Sequence, residues 1–479
     1  MRETATDLQV PGVLPVLPGV SLAGRYLLTE TEPSDRGDTL DAFDLPGGRV
    51  GLMVVDVVGH GFPAALVANG VRSVLRERLG SGISLGTAVE SLHRLARQVP
   101  EAATTTLCAV VMDRRDGAVE YIAAGHPAPL VWGATGPPRS LGESRGRPLG
   151  TGAQVQTGRT RLEVGESLLL VTDGILGGVG EAGELERAIV HARARLAMDT
   201  DSPALRDEEV CAELLAAVPA PGLLDDAALL LMRRIRPAKP LALTLPATPR
   251  QFVVARERVG AWLDSLGAGL ADRVSLGHAV HELIANVIEH AYGASADGVF
   301  QLTGVLTDDG TAVIMVTDHG RWSSGSAGGR GLVMAAGLTD DLRIQRTDRG
   351  TAVEVRRRLG RPVPFLASVP IPEVDALFES GRGPGLRTES TEGRLTAAGP
   401  IDDVTVEAFE TALWETTRVG TADAVIDLTG VTLLASPGVQ AIFDMVRRSH
   451  RSGSVLQLVA EAGSPAALML DRVDLPYTE

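Results

Sequence analysis

The stretch "MVVDVVGHG", Met53 to Gly61, limits the fold more than any other part of the sequence. An apolar run of strand length carries one aspartate, Asp56, and then meets Gly59, His60 and Gly61. Burying even a neutral polar group without a partner costs roughly 2–7 kcal/mol, so a carboxylate here needs compensation. Asp56 has company. Asp173 follows the apolar run Leu168 to Val171, Asp225 and Asp226 open the run Ala227 to Met232, and Asp38 lies upstream in "RGDTLDAF". In an antiparallel sheet the end of one strand lies at the same edge as the start of its neighbour. Strands ending at Asp56 and Asp173 can therefore meet one that starts at Asp225. Carboxylates gathered there repel one another, and their pKa values rise unless a counter-charge is present. Divalent cations supply that charge, and an all-oxygen donor set selects hard ions, Mg2+ or Mn2+. Two such ions about 3.5–4 Å apart can activate a water and clamp a phosphoryl group. Taken singly, each aspartate reads as a turn residue, which is what "TDG" ordinarily signals.

At about 150 residues per domain, 479 residues favour three domains. After an arm over 1–19, strand-like runs alternate with turns from 20 to 236, with one clear helical pattern, "PAALVANGVRSVLRERL". "RPAKP", Arg236 to Pro240, reads as a linker. A second unit spans 241–361, a Pro-rich linker 362–385, and a third unit of alternating β and α character 386–479. The net charge of −15 argues against a nucleic-acid or anionic-membrane partner. No apolar run reaches the ~20 residues of a membrane span, and "MRETATDLQVPG" has no signal-peptide core. The 2 cysteines have no paired spacing, so the expected compartment is the cytoplasm.

"DVVGHG", "LLLVTDGI" and "DDAALLLMRR", with "GDTLDAF" before them and "AAGHPAPL" between, together resemble the SpoIIE branch of the metal-dependent protein phosphatases. The resemblance implies an antiparallel β-sandwich flanked by helices over 20–236, with two Mn2+ or Mg2+ ions and phosphoserine or phosphothreonine on a protein as substrate. It assigns Asp38, Asp56, Asp173 and Asp225 as ligands, with Val57 offering a backbone carbonyl. Val55 stands where the family usually has Gly, and Arg36 and Gly37 where it has paired glycines. His60 and His126 are expected to pack in turns.

In the second unit there is no P-loop sequence. Glu282, Asn286 and His290 recur every four residues, which places them on one helix face. Asp318 ends an apolar strand, and Gly328, Gly329 and Gly331 precede a helical run, an arrangement suited to anions. By pattern alone the stripe is a solvent face and the glycines a loop. "HELIANVIEHAY", "VTDHGRW", "GGRGL" and "DRGTAVEV" resemble the GHKL ATPase fold, a Bergerat-type α/β sandwich, in its anti-sigma-factor serine kinase branch. The resemblance implies ATP with Mg2+. It gives Asn286 the metal on the phosphates, Glu282 the proton of a serine hydroxyl, and Asp318 the adenine amino group. Gly320, Gly329, Gly331 and Thr351 line the nucleotide. Arg321 replaces a glycine of many relatives.

In the third unit, Ser436 before Pro437 reads as an N-cap serine followed by a first-turn proline. From 386 onward the chain resembles a STAS domain of the anti-anti-sigma-factor kind, whose phosphorylated serine lies in this loop. Ala435 stands where that family has an aspartate. The whole chain therefore reads as a multidomain α+β partner-switching regulator. In it a phosphatase acts on a STAS-domain antagonist and a kinase-like module opposes it. Expected partners are a phosphorylated STAS-domain protein, in cis or in trans, a sigma factor and, as a homodimer, a second copy of the chain. The alternative is a phosphatase whose ATPase-like and STAS modules only bind partners.

Overall fold

The computed structural model describes residues 12–27, 38–57, 62–99, 102, 105–142, 146–151, 156–172, 174–175, 184–195, 203–217, 227–292, 298–320, 329–347, 349–366, 386–391, 393–402, 405–418, 420–472 and 475–478. Its first body is an antiparallel sandwich. One sheet runs Thr39–Leu45, Arg49–Asp56, Thr106–Asp113, Ala118–Ala124, Gly158–Arg161. The other runs Phe365–Leu366, Val20–Leu27, Ala227–Arg234, Ser167–Val171, Leu130–Trp132, Arg139–Ser140. The near-continuous apolar runs arise because both faces of each sheet are covered. In Arg49–Asp56, Val50, Leu52 and Val54 point into the core between the sheets. Met53 and Val55 instead pack under the helices Phe62–Gly80 and Leu85–Ala96. In Ala227–Arg234, Ala228, Leu230 and Met232 fill the central core, while Leu229 and Leu231 pack with the helices Glu184–Arg195 and Pro203–Ala216. Period-2 alternation thus serves two apolar layers at once.

The second body is a five-stranded antiparallel sheet, Leu241–Pro246, Val299–Leu306, Thr311–Asp318, Gly350–Arg358, Asp341–Thr347. Here one face is covered, by Gln251–Leu266, Leu270–Asn286 and Gly329–Gly337, and strands such as Val299–Leu306 alternate exposed and buried residues. The helix Leu270–Asn286 passes into a π-helical turn, Val287–Ala291. His290 falls within this π turn, four residues after Asn286. Gly329 and Gly331 lie inside the first turn of their helix rather than before it.

The third body pairs Arg387–Thr391 antiparallel with Arg394–Ile401, which then runs parallel to Ala424–Leu434 and Leu456–Val459. Such parallel pairs need crossovers, here Val406–Thr416 and Ser436–Ser452. Ala435 is the N-cap of the second crossover helix, with extended backbone (φ −79°, ψ 169°). Ser436 is therefore the first helical residue and not the cap.

The units are not beads on a string. Val13–Pro15 pairs with Gly360–Pro362, and Phe365–Leu366 extends the second sheet of the first body parallel to Val20–Leu27. The start of the expected linker is thus woven into the first body, with Val363 in its central core. The expected arm is likewise tied down where it is described. Arg361 forms an ion pair with Glu208, and buried Arg114 donates to Pro18 O (3.1 Å), Asp44 (3.0 Å) and Asp308 O (2.8 Å). The second and third bodies share one apolar core. No described helix is long and apolar enough to cross a membrane.

Candidate active sites

The ladder between Thr39–Leu45 and Arg49–Asp56 ends with Thr39 paired to Val55, and Asp38 and Asp56 are the residues that follow at that edge. On its other side Asp56 pairs with Thr106, whose Oγ1 lies 3.5 Å from Asp56 Oδ2. Val57 follows, buried. At the same end of the sandwich, Val171 pairs with Leu229, and Thr172 N donates to Ala228 O at 3.0 Å. The strand ends that lead to Asp173 and away from Asp225 are therefore neighbours. Asp173, Asp225, Asp226 and His60 themselves lie outside the described residues. Among the described residues no group of three or more His, Cys, Asp or Glu could hold a metal ion. Asp38 and Asp56, two carboxylates at one strand edge with all-oxygen chemistry, fit a hard cation.

His126 stands between these strands. It is buried, with Nδ1 2.8 Å from Thr106 Oγ1 and Nε2 3.0 Å from Val171 O. Burial pushes its pKa down to about 4, against a smaller raising effect from the Val171 carbonyl. Gly125 before it has φ +71°, and a Cβ there would lie 2.6 Å from Pro148 Cγ. Sequence reasoning treats His126 as turn packing and misses Thr106 altogether. The only sequence signals are "GHP" and a threonine run ahead of an apolar strand.

The second site lies at one end of Leu270–Asn286. Glu282 is buried, and Asn286 Nδ2 donates to Glu282 O at 2.6 Å. Gly331 comes so close that a Cβ would sit 2.4 Å from Glu282 Oε2 and 3.6 Å from Asn286 Nδ2. Across the sheet, Asp318 pairs with Thr351 and both are buried. Asp318 Oδ1 accepts from Gly320 N at 2.9 Å. Burial raises the Asp318 pKa, opposed by the backbone N–H groups of Gly320 and Thr351. Gly320 lies against Ala291 O, and Gly350 (φ +135°) against Asp318 O, at distances that admit no side chain. Gly320 thus brings the Asp318 strand end against the end of the helix at Ala291. The side chain of His290 is outside the description.

The Stage II sporulation protein E (SpoIIE) family matches residues 46–235, a histidine kinase-like ATPase domain 245–357, and the Mlab, STAS domain family 385–471. The solved RsbU and RsbW domains of Rv1364c from Mycobacterium tuberculosis superpose with a TM-score of 0.66 at 30% identity, covering 74% of this chain and 99% of that one. The chain belongs to the RsbU–RsbW fusion family. Its RsbU-type part is 26% identical over 147 residues to the phosphoserine phosphatase RsbP of Bacillus subtilis, covering 29% of this chain and 36% of RsbP. The chain thus spans about a third of that relative's length. An anti-sigma F factor of Heyndrickxia coagulans is 26% identical over 135 residues, 25% of this chain and 92% of that protein. In the RsbU-type part, Asp38 and Asp56 lie just beyond the Thr39–Val55 pair at one strand edge. In the RsbW-type part, Glu282, Asn286 and Gly331 form one cluster and Asp318, Gly320 and Thr351 another. Ser436 begins its helix beside Ile401, whose carbonyl accepts from Ala435 N at 2.9 Å. The next residue, buried Asp402, pairs with Arg256 of the RsbW-type part at 2.8 Å.

Proposed function

We propose that the chain is a partner-switching regulator. Its RsbU-type part acts as a metal-dependent phosphoserine/phosphothreonine protein phosphatase on a STAS-domain serine, and its RsbW-type part opposes it with ATP. The observation that carries this reading is the ladder register that ends at Thr39–Val55, leaving Asp38 and Asp56 at one edge, with the strands flanking Asp173 and Asp225 side by side in the other sheet. Asp38, Asp56, Asp173 and Asp225, with the Val57 carbonyl, would hold Mg2+ or Mn2+. Bound there, the cations would supply an activated water and neutralise phosphoryl oxygens. Asn286 would hold Mg2+ on the ATP phosphates, Glu282 would take the serine proton, and Asp318 would accept from the adenine amine. Gly320, Gly329, Gly331 and Thr351 would line the nucleotide. The functional units are 20–236, 241–361 and 386–479, with 360–366 also serving the phosphatase body.

The third body offers a serine, Ser436, and docks on the RsbW-type part through the shared core and the Arg256–Asp402 pair. Phosphorylation would add about −1.5 to −2 charges one helix start away from that pair, in competition with Asp402 for Arg256. Loosening of this contact would free the kinase-like surface for a sigma factor. The deciding experiment incubates phosphorylated STAS protein with the full chain and Mn2+, wild type against Asp56→Asn. Metal-dependent phosphate release by the wild type alone is expected. Equal release by both, or release without metal, rejects the reading.

A further inference from the structure

The two sheets of the sandwich are held together mostly by apolar packing, which is non-directional. A site whose ligands come from both sheets needs more than that, because functional groups must be held within about 0.5 Å. We infer that His126 is a positioning residue, a polar strut that fixes the spacing between the Asp56 edge of one sheet and the Asp173-bearing strand end of the other. The inference rests on the metal reading above.

The hydrogen-bond pattern follows from one constraint. Val171 O can only accept, so His126 Nε2 carries the proton in that 3.0 Å bond. The buried ring is neutral, since its pKa lies near 4. Nδ1 is then an acceptor, and the single Thr106 hydroxyl proton is spent on it at 2.8 Å. Asp56 Oδ2 lies 3.5 Å from the same hydroxyl oxygen, so Thr106 stands between the ring and the carboxylate. The chain of contacts runs from Val171 in one sheet, through His126, to Thr106, which pairs with Asp56 in the other. His126 sits on the crossover between Ala118–Ala124 and Leu130–Trp132, which belong to different sheets. It therefore joins them where they diverge. Gly125, locked by its φ of +71° and its contact with Pro148, gives the ring its entry angle.

The test uses the full chain with His126→Phe, His126→Gln and Thr106→Val, the last nearly isosteric and least disruptive to folding. Mn2+ binding is measured by calorimetry, and thermal unfolding is followed without metal. Partners that orient metal ligands typically matter 10–100-fold in affinity, so His126→Phe is expected to weaken Mn2+ binding by about that factor. Thr106→Val should weaken it less, and His126→Gln, whose amide can still donate to Val171 O, should recover part of the loss. A lower melting temperature with unchanged Mn2+ affinity in all variants overturns the strut. A wild type that takes up no Mn2+ overturns the metal reading and the strut with it, whereas wild-type uptake matched by every variant overturns the strut alone.

Discussion

The sandwich carries its candidate acids on different strands, with Asp38 and Asp56 just beyond the Thr39–Val55 pair. The RsbW-type part sets Glu282 and Asn286 one turn apart on a single helix and closes the pocket with Gly331. The first site therefore depends on sheet-to-sheet geometry, and the second on local helix geometry plus close backbone approach. Perturbations should follow this division. Changes at strand edges should reach metal chemistry only, and changes at the glycines should reach nucleotide chemistry only.

The largest effect is expected from Asp56→Asn. Loss of one ligand charge removes several kcal/mol of transition-state stabilisation, so phosphatase turnover should fall by about 10³-fold. ATP affinity, measured by calorimetry on the same protein, should stay within about threefold. A parallel fall in ATP affinity would break the division, because it would mean that the sites are coupled through the woven segment 360–366.

Next in size is Gly331→Ala. The added methyl lies 2.4 Å from Glu282 Oε2, the far end of a flexible side chain, so the carboxylate must move while the fold need not. Displacing a reacting group by about 1 Å can cost 10²-fold, and serine phosphorylation should drop by about that much. Alanine also favours a helix by up to ~1 kcal/mol over glycine, so the melting temperature should not fall. Unchanged phosphorylation in this variant would remove Glu282 from the proposed chemistry.

The same division marks what the sequence makes legible. The apolar runs that end at Asp56 and Val171 and the one that begins at Ala227 are all strands, because burial on both faces leaves an unbroken apolar signal. Glu282 and Asn286 are legible because their spacing is local. The π turn after Asn286 is not, since it depends on how the helix end packs. Nor is the pairing of Gly360–Pro362 with Val13–Pro15, where the strands are short and their partners lie far away in sequence. Ser436 with Pro437 resembles a cap followed by a first-turn proline, but the helix starts one residue earlier. His126 is the sharpest case. Nothing local distinguishes a turn histidine from one that spans two sheets.

A second buried histidine sharpens the comparison by lacking such partners. His278, on the helix Leu270–Asn286, is fully buried, and neither ring nitrogen has a hydrogen-bond partner among the described residues. Burial, with a smaller contribution from His281, lowers its pKa to about 3. An unsatisfied buried polar group costs about 1–3 kcal/mol, so His278→Leu, close in volume, should stabilise the chain by that order at pH 8. The sign of the pH effect follows from linkage. With the folded pKa below the unfolded 6.5, the unfolded state binds more protons between the two values. Stability supported by the neutral ring is therefore complete above pH 6.5 and is lost as pH falls toward 3. At pH 5 that loss amounts to about 2 kcal/mol, which the leucine variant escapes. Calorimetric melting of both proteins at pH 8 and pH 5 should show a gap that widens on acidification. A gap that is constant, or that closes, would mean that His278 has a partner stabilising its charged form. The two histidines would then be alike, one tying sheets together and the other tying helices.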